Sequence, residues 1–236
     1  MYRFWTVSVL RYVALFFMFA VLAAAYFYPG GNIHDPAQPG YSITHNFLSD
    51  LGAYESHSGA TNFVSAFLFN VAMFLFLGVG VGFCFVPRLF KHDPLNYKLA
   101  LVGSGFFFIG TAFFAGVGLT PHDLYWNLHI FFALNAFRFL VPGALAYVVV
   151  LLRSPVNNRY ALVTLFYLVA TLTYVIYQLL DGSPRDSMEE LGRQATIQKM
   201  IAVISVSAIF SLSYAFAQQL RYVTRTEVPT TSVQFR

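Results

Sequence analysis

Six stretches of this chain are long and apolar enough to cross a bilayer, and nothing else in the sequence constrains the fold so strongly. They cover residues 5–28, 61–86, 99–119, 128–152, 160–180 and 200–220. A bilayer core offers no water to backbone groups, so each stretch must close its own hydrogen bonds as a helix. The runs are continuous rather than alternating with period two, which argues against barrel strands. The expected fold class is therefore all-α: a polytopic bundle of six transmembrane helices forming one domain, residues 1–223. A Thr-rich polar tail, residues 224–236, is expected to be flexible and cytoplasmic. Composition agrees, with 58% hydrophobic and only 10% charged residues, against about 25% charged in soluble domains. Disorder, a disulfide scaffold and a nucleic-acid module are excluded, the second because the chain has 1 cysteine.

Charge sets the expected orientation. With the N-terminus inside, the cytoplasmic segments hold Arg3, Arg11, Arg88, Lys91, Lys98, Arg153, Arg159, Arg221, Arg225 and Arg236. The other side holds only Arg185, Arg193 and Lys199, together with most of the acids. This positive-inside bias predicts both termini in the cytoplasm of a multi-pass cell-membrane protein. The pI of 9.2 thus reflects a basic inner rim rather than affinity for nucleic acid. Arg3, Arg11 and the run Ala23-Ala24-Ala25 also fit a cleavable signal peptide. The apolar run continues through Tyr26-Phe27-Tyr28, which reads better as an interfacial belt on a retained span.

Glycines cluster on the second and third spans, among them Gly78, Gly80, Gly82, Gly103 and Gly110. They are expected to admit the rings of a bundle with 27 Phe. Gly103-Ser104-Gly105 faintly resembles the rhomboid protease serine motif but lacks its spacing and a base in a later span. Haem-based electron transfer fails because no span carries a deep histidine on the inner side.

Titratable residues gather on one side. His34, His45, His57, His122 and His129 lie there with Asp35, Asp50, Glu55 and Asp123, whereas only His92 is opposite. Imidazole and carboxylate suit a zinc-like divalent metal or general acid–base work. The expected pocket uses Asp50, His122, Asp123 and His129, with Ser49, His45 and His57 in support, and Asp50, His122 and His129 as metal ligands. If Pro121 opens the fourth helix, His122 and His129 share a face about 10 Å apart in height, too far for one ion unless the helix start is irregular. In the stretch Thr44 to Gly52, Thr44 is expected to cap a short helix and Gly52 to end it with a left-handed cap. A Ser49–His45 dyad beside Asp50, or Asp50 as a simple turn cap, are alternatives.

Arg138 falls near the middle of the fourth span, where a charge costs at least about 2.5–3.5 kcal/mol. It is expected to face the bundle interior or a wet cavity, meeting Asn70, Asn135, Gln178, helix carbonyls or an anionic ligand. Its nine-residue separation from His129 argues against one small site holding both.

Phe47-Leu48-Ser49-Asp50-Leu51-Gly52, then Asn62 or Asn70, and Gly118-Leu119-Thr120-Pro121-His122-Asp123 followed by His129 resemble the prokaryotic six-span proteins grouped as domain of unknown function 998. That resemblance implies six helices and an unassigned activity, and supplies no catalytic residues. The Ser-Asp-x-Gly element is more distantly similar to eukaryotic membrane proteins linked to autophagy and glycolipid-anchor remodelling. Alkaline ceramidase-type hydrolases also combine Ser, Asp and three His, but differ in span number and in a closing His pair. The resulting expectation is an outer-facing His/Asp pocket binding lipid, metal or both, with membrane lipids as partners. A metal-dependent lipid hydrolase or remodelling enzyme, a small-solute transporter using Arg138, and a structural accessory protein are the alternatives.

Overall fold

The computed structural model describes residues 1–227. Six helices are long and apolar enough to span a membrane. They are α1 (Leu10–Phe27, entered through a π-helical segment Phe4–Val9), α2 (Phe63–Phe85), α3 (Pro94–Leu119), α4 (Trp126–Leu152), α5 (Asn158–Leu180) and α6 (Met188–Glu227). No strand occurs among the described residues; two isolated bridges, Gly30 with Pro39 and Glu55 with Thr61, brace the long loop after α1. Successive helices alternate in direction, which brings both ends of the chain toward one face. The Tyr2 hydroxyl donates to the Phe85 carbonyl, and Gln219 Nε2 donates to the Leu89 carbonyl at 2.9 Å. The end of α2 and the turn that follows it thus hold the first residues and the last helix together.

Close approach and aromatic filling build the interior. A Cβ on Gly80 would lie 2.2 Å from Thr111 Oγ1, so α2 and α3 meet where only a hydrogen fits. Phe83, Phe107, Tyr147 and Phe216, from α2, α3, α4 and α6, form one buried cluster. Phe83 lies 4.5 Å from Phe107 and 5.9 Å from Phe216 between ring centroids, and Tyr147 lies 5.6 Å from Phe216. The Tyr147 hydroxyl is satisfied by Ser104 Oγ at 2.7 Å, as a buried phenol requires. The signal-peptide alternative meets a packed helix: Leu10, Ala14 and Ala24 of α1 are fully buried.

The largest boundary differences are the start of α3, at Pro94 rather than near residue 99 because Asp93 caps it by accepting from Leu95 N and Asn96 N, and both ends of α6. Helix α6 begins at Met188 rather than near residue 200. Ser187 accepts from Glu190 N at 3.0 Å, and Ser187-Met188-Glu189-Glu190 is the S-x-x-E pattern that starts a helix. This polar extension buries Leu191 and Ala195, so amphipathic packing rather than hydrocarbon holds it. At the other end α6 continues through Glu227, making residues 224–227 of the expected tail helical. Thr224 and Thr226 turn their hydroxyls back onto the Leu220 and Tyr222 carbonyls, which suits a helical surface. Residues 228–236 of that tail lie outside the described residues.

Arg138 departs from its expected position. It is exposed on α4, and its Nη1 donates one long hydrogen bond, to Asn135 Oδ1 at 3.4 Å. The inward face of α4 is taken by Ala136, Phe137, Leu140, Gly143 and Ala144; position 138, two residues from both 136 and 140, falls on the opposite side. Of its expected partners, Asn70 donates instead to the Gly52 carbonyl and Gln178 lines a cavity at the loop face. Arg138→Leu is therefore expected to keep or raise the thermal stability of the protein in lipid nanodiscs. A loss above about 2 kcal/mol would instead mark Arg138 as a bonded hub.

Candidate metal centre

The long loop between α1 and α2 is held against the bundle by buried hydrogen bonds. A 3-10 turn, Leu48–Gly52, carries Asp50. From α2, Asn62 Nδ2 donates to the carbonyls of Leu51 and Ala53 at 3.1 and 3.0 Å, Ser65 to Leu51 at 3.0 Å, and Asn70 to Gly52 at 3.0 Å. Gly52 has no left-handed backbone, so the expected cap is not what it provides. It is needed for space, because a Cβ there would lie 2.5 Å from Asn70 Oδ1 and 2.7 Å from Phe69. The polar start of α6 closes the other side: Gln198 Oε1 accepts from Leu48 N at 2.7 Å, and Lys199 donates to the Asn46 carbonyl.

Three side chains converge on this frame. Asp50 Oδ1 lies 3.4 Å from His57 Nε2 and 3.4 Å from His122 Nε2. One ligand atom from each of the three groups falls within 4.8 Å of the others. Asp50 is buried, and its second oxygen is committed to Phe47 N at 2.9 Å and Asn46 Nδ2 at 3.0 Å. The cap reading of Asp50 therefore holds for Oδ2, while Oδ1 is left to face the two imidazoles. Neither His57 Nε2 nor His122 Nε2 has a hydrogen-bond partner, although both atoms are buried. Hydrogen bonds from ring nitrogen to carboxylate normally span about 2.7–3.2 Å. With metal–ligand bonds of 2.0–2.2 Å in a tetrahedron, neighbouring ligand atoms sit about 3.4 Å apart.

Positioning of the two histidines comes from Asp123. Its Oδ1 accepts from Tyr54 N at 3.1 Å and its Oδ2 from Glu55 N at 2.9 Å. It thereby joins the turn carrying His122 to the hairpin carrying His57. Gly31 supports the same hairpin, with φ +79° and room for no side chain: a Cβ would lie 2.4 Å from Ser58 N. Pro121 does not open α4. It precedes an irregular turn, Tyr125 N donating to the Pro121 carbonyl at 2.8 Å, and the helix starts at Trp126. The expected 10 Å helical separation of His122 and His129 is accordingly replaced by ring centroids 5.8 Å apart.

His57, a supporting residue in the sequence reading, stands in the cluster where His129 was expected. His129 is buried beside it, with Nδ1 against the Thr120 carbonyl at 2.7 Å. Ser49 lines the pocket next to Asp50. His45 is partly buried and meets Thr44 Oγ1 through Nδ1 at 2.8 Å, so the Ser49–His45 dyad has no observed contact. Thr44 lies in a turn and caps no helix. No family model, curated protein or solved structure matches the chain.

Electrostatics follow the geometry. Burial pushes the Asp50 carboxyl upward, but the facing imidazoles of His122 and His57 outweigh it and hold the group below the usual carboxylate range. The facing Asp50 carboxylate in turn raises His57, against a smaller opposing effect of burial. The triad opens into a cavity of about 870 Å³. Tyr177, Gln178, Asp181 and Gln194 form its far wall, and the Arg185 guanidinium lies over Trp126, 5.5 Å from the ring centroid, at its rim.

Proposed function

We propose that this multi-pass membrane protein holds a zinc-like divalent ion between Asp50, His57 and His122, and uses it to hydrolyse an ester or amide bond of a membrane lipid. The observation that carries the reading is one carboxylate oxygen lying 3.4 Å from each of two unpartnered imidazole nitrogens, all within 4.8 Å of one another and beside a cavity. Structural zinc sites are closed by four protein ligands, whereas three ligands beside a cavity match the catalytic arrangement. An ion so held supplies a water activated near neutral pH. Net hydrolysis would leave the hydroxyl of a water on the acyl carbon and its other hydrogen on the departing alcohol or amine. Asp50 and the two histidines orient the site; Asp123 and Asn46 fix them in place. The likeness to the domain of unknown function 998 adds architecture and no chemistry, so the proposal rests on the cluster. The transporter alternative is weakened because Arg138, its counter-ion, faces away from the bundle.

The test uses purified protein in mixed micelles with a panel of acyl esters and amides. Cleavage is expected in the zinc-loaded protein, to vanish on chelation, to return with zinc and to be missing in Asp50→Ala. A zinc-loaded protein that cleaves none of the panel would contradict the hydrolase reading.

Acidity provides a second check. Imidazoles must be neutral to bind metal, and His57, raised by Asp50, holds its proton above its ordinary 6.5 in the metal-free protein. Its pairing with Asp50 contributes stability that is complete below the unfolded value near 6.5 and lost as pH rises through the folded value. Asp50, being lowered, contributes stability above the unfolded carboxylate value that is lost on strong acidification. Metal-free protein should thus melt lower as pH rises from about 6 to 8, while the stabilisation by zinc grows over that window. Parallel melting curves with and without zinc would contradict this.

A further inference from the structure

Beneath the metal pocket the bundle is hollow. A second cavity of about 90 Å³ is lined near the loop face by Ser49, His129 and Gln198, and deeper by Phe76, Leu140 and Ile209. The first three also line the larger pocket, so the two spaces share a polar neck. His129 and Leu140 on α4, like Gln198 and Ile209 on α6, are eleven residues apart, so both walls descend about 16 Å from that neck. Below it the lining is almost entirely apolar. Ser205, an exception, turns its hydroxyl onto the Ile201 carbonyl at 2.7 Å. Water finds too few polar partners in such a space, yet an empty one forfeits contacts along its whole lining. At roughly 10–15 Å³ for each water-sized group, the space admits on the order of six to nine such groups.

We propose that this chamber takes the acyl chain of the substrate, a fatty ester or amide whose carbonyl lies at the neck and whose tail runs down between α4 and α6. The chemistry at the carbonyl rests on the hydrolase reading above; the chain site rests on the chamber alone. A polar mouth over a narrow apolar well is complementary to an amphiphile that enters head last. It would fit neither a small polar solute nor a soluble peptide.

The experiment reads the chain site without needing the metal. Protein in lipid nanodiscs is irradiated with an eight-carbon fatty acid carrying a diazirine at its tail, and the adducts are mapped by peptide mass spectrometry. Zinc content is measured in the same preparation. Adducts are expected on Phe76, Leu140 and Ile209 in the wild-type protein, falling at least tenfold in Ala202→Phe, which fills the chamber from α6. Adducts confined to outward-facing residues such as Leu145 and Phe166 would overturn the proposal, and the wild-type map decides this even if the variant does not fold. Chamber adducts in protein that binds no zinc would sustain the chain site while removing the metal reading; zinc without chamber adducts would do the reverse.

Discussion

Protein purified and loaded with zinc is expected to retain one ion per chain, and Asp50→Ala, His57→Ala and His122→Ala should each reduce that occupancy at least tenfold. The three side chains supply every converging ligand atom among the described residues, and a site cut to two ligands loses both charge and geometry. His129→Gln is expected to keep the ion, because His129 Nδ1 is bound to the Thr120 carbonyl and the residue stands outside the converging group. Asn46→Ala should fall between these extremes. Asn46 donates to Asp50 Oδ2 and to the Gly31 carbonyl, and outer partners of this kind are worth about 10–100-fold in affinity. Elemental analysis after dialysis checks the series. A His129 variant that loses the ion while the His57 variant keeps it would restore the ligand set expected from sequence.

Phe216→Ala is expected to destabilise the bundle by about 3–5 kcal/mol, read from unfolding in mixed micelles. Its ring is wholly buried and stands against Phe83, Phe90 and Tyr147, so truncation leaves a cavity facing α2 and α4. Those neighbours cannot collapse into it without leaving the close approach at Gly103, where a Cβ would already meet Tyr147 at 3.0 Å. A cost below about 1 kcal/mol would mean that the helices repack freely and that this cluster does not fix their arrangement.

The spans were legible because hydrocarbon permits one solution for an apolar run: a helix of about 20 residues. The start of α6 is harder to see: its signal is the local pair Ser187 and Glu190, and its first turns are polar and amphipathic rather than part of an apolar run. Asp50 and His122 were legible as the acid and imidazole of one loop face. The choice between His57 and His129 was not, since it depends on Asp123 clasping the amides of Tyr54 and Glu55. That contact joins residues far apart in the chain and leaves no local pattern. Arg138 misled for a related reason. A mid-span charge implies a hidden partner only if the helix turns it inward, and the spacing of Ala136, Phe137 and Leu140 already points it the other way.

Zinc K-edge X-ray absorption on the metal-loaded protein in nanodiscs tests the metal centre most directly. The account predicts a shell of two imidazole nitrogens and one carboxylate oxygen at about 2.0–2.2 Å with one further oxygen from water, and loss of one imidazole scattering contribution in both His57→Ala and His122→Ala. A spectrum of fully hydrated ion, or one that neither substitution changes, would contradict it.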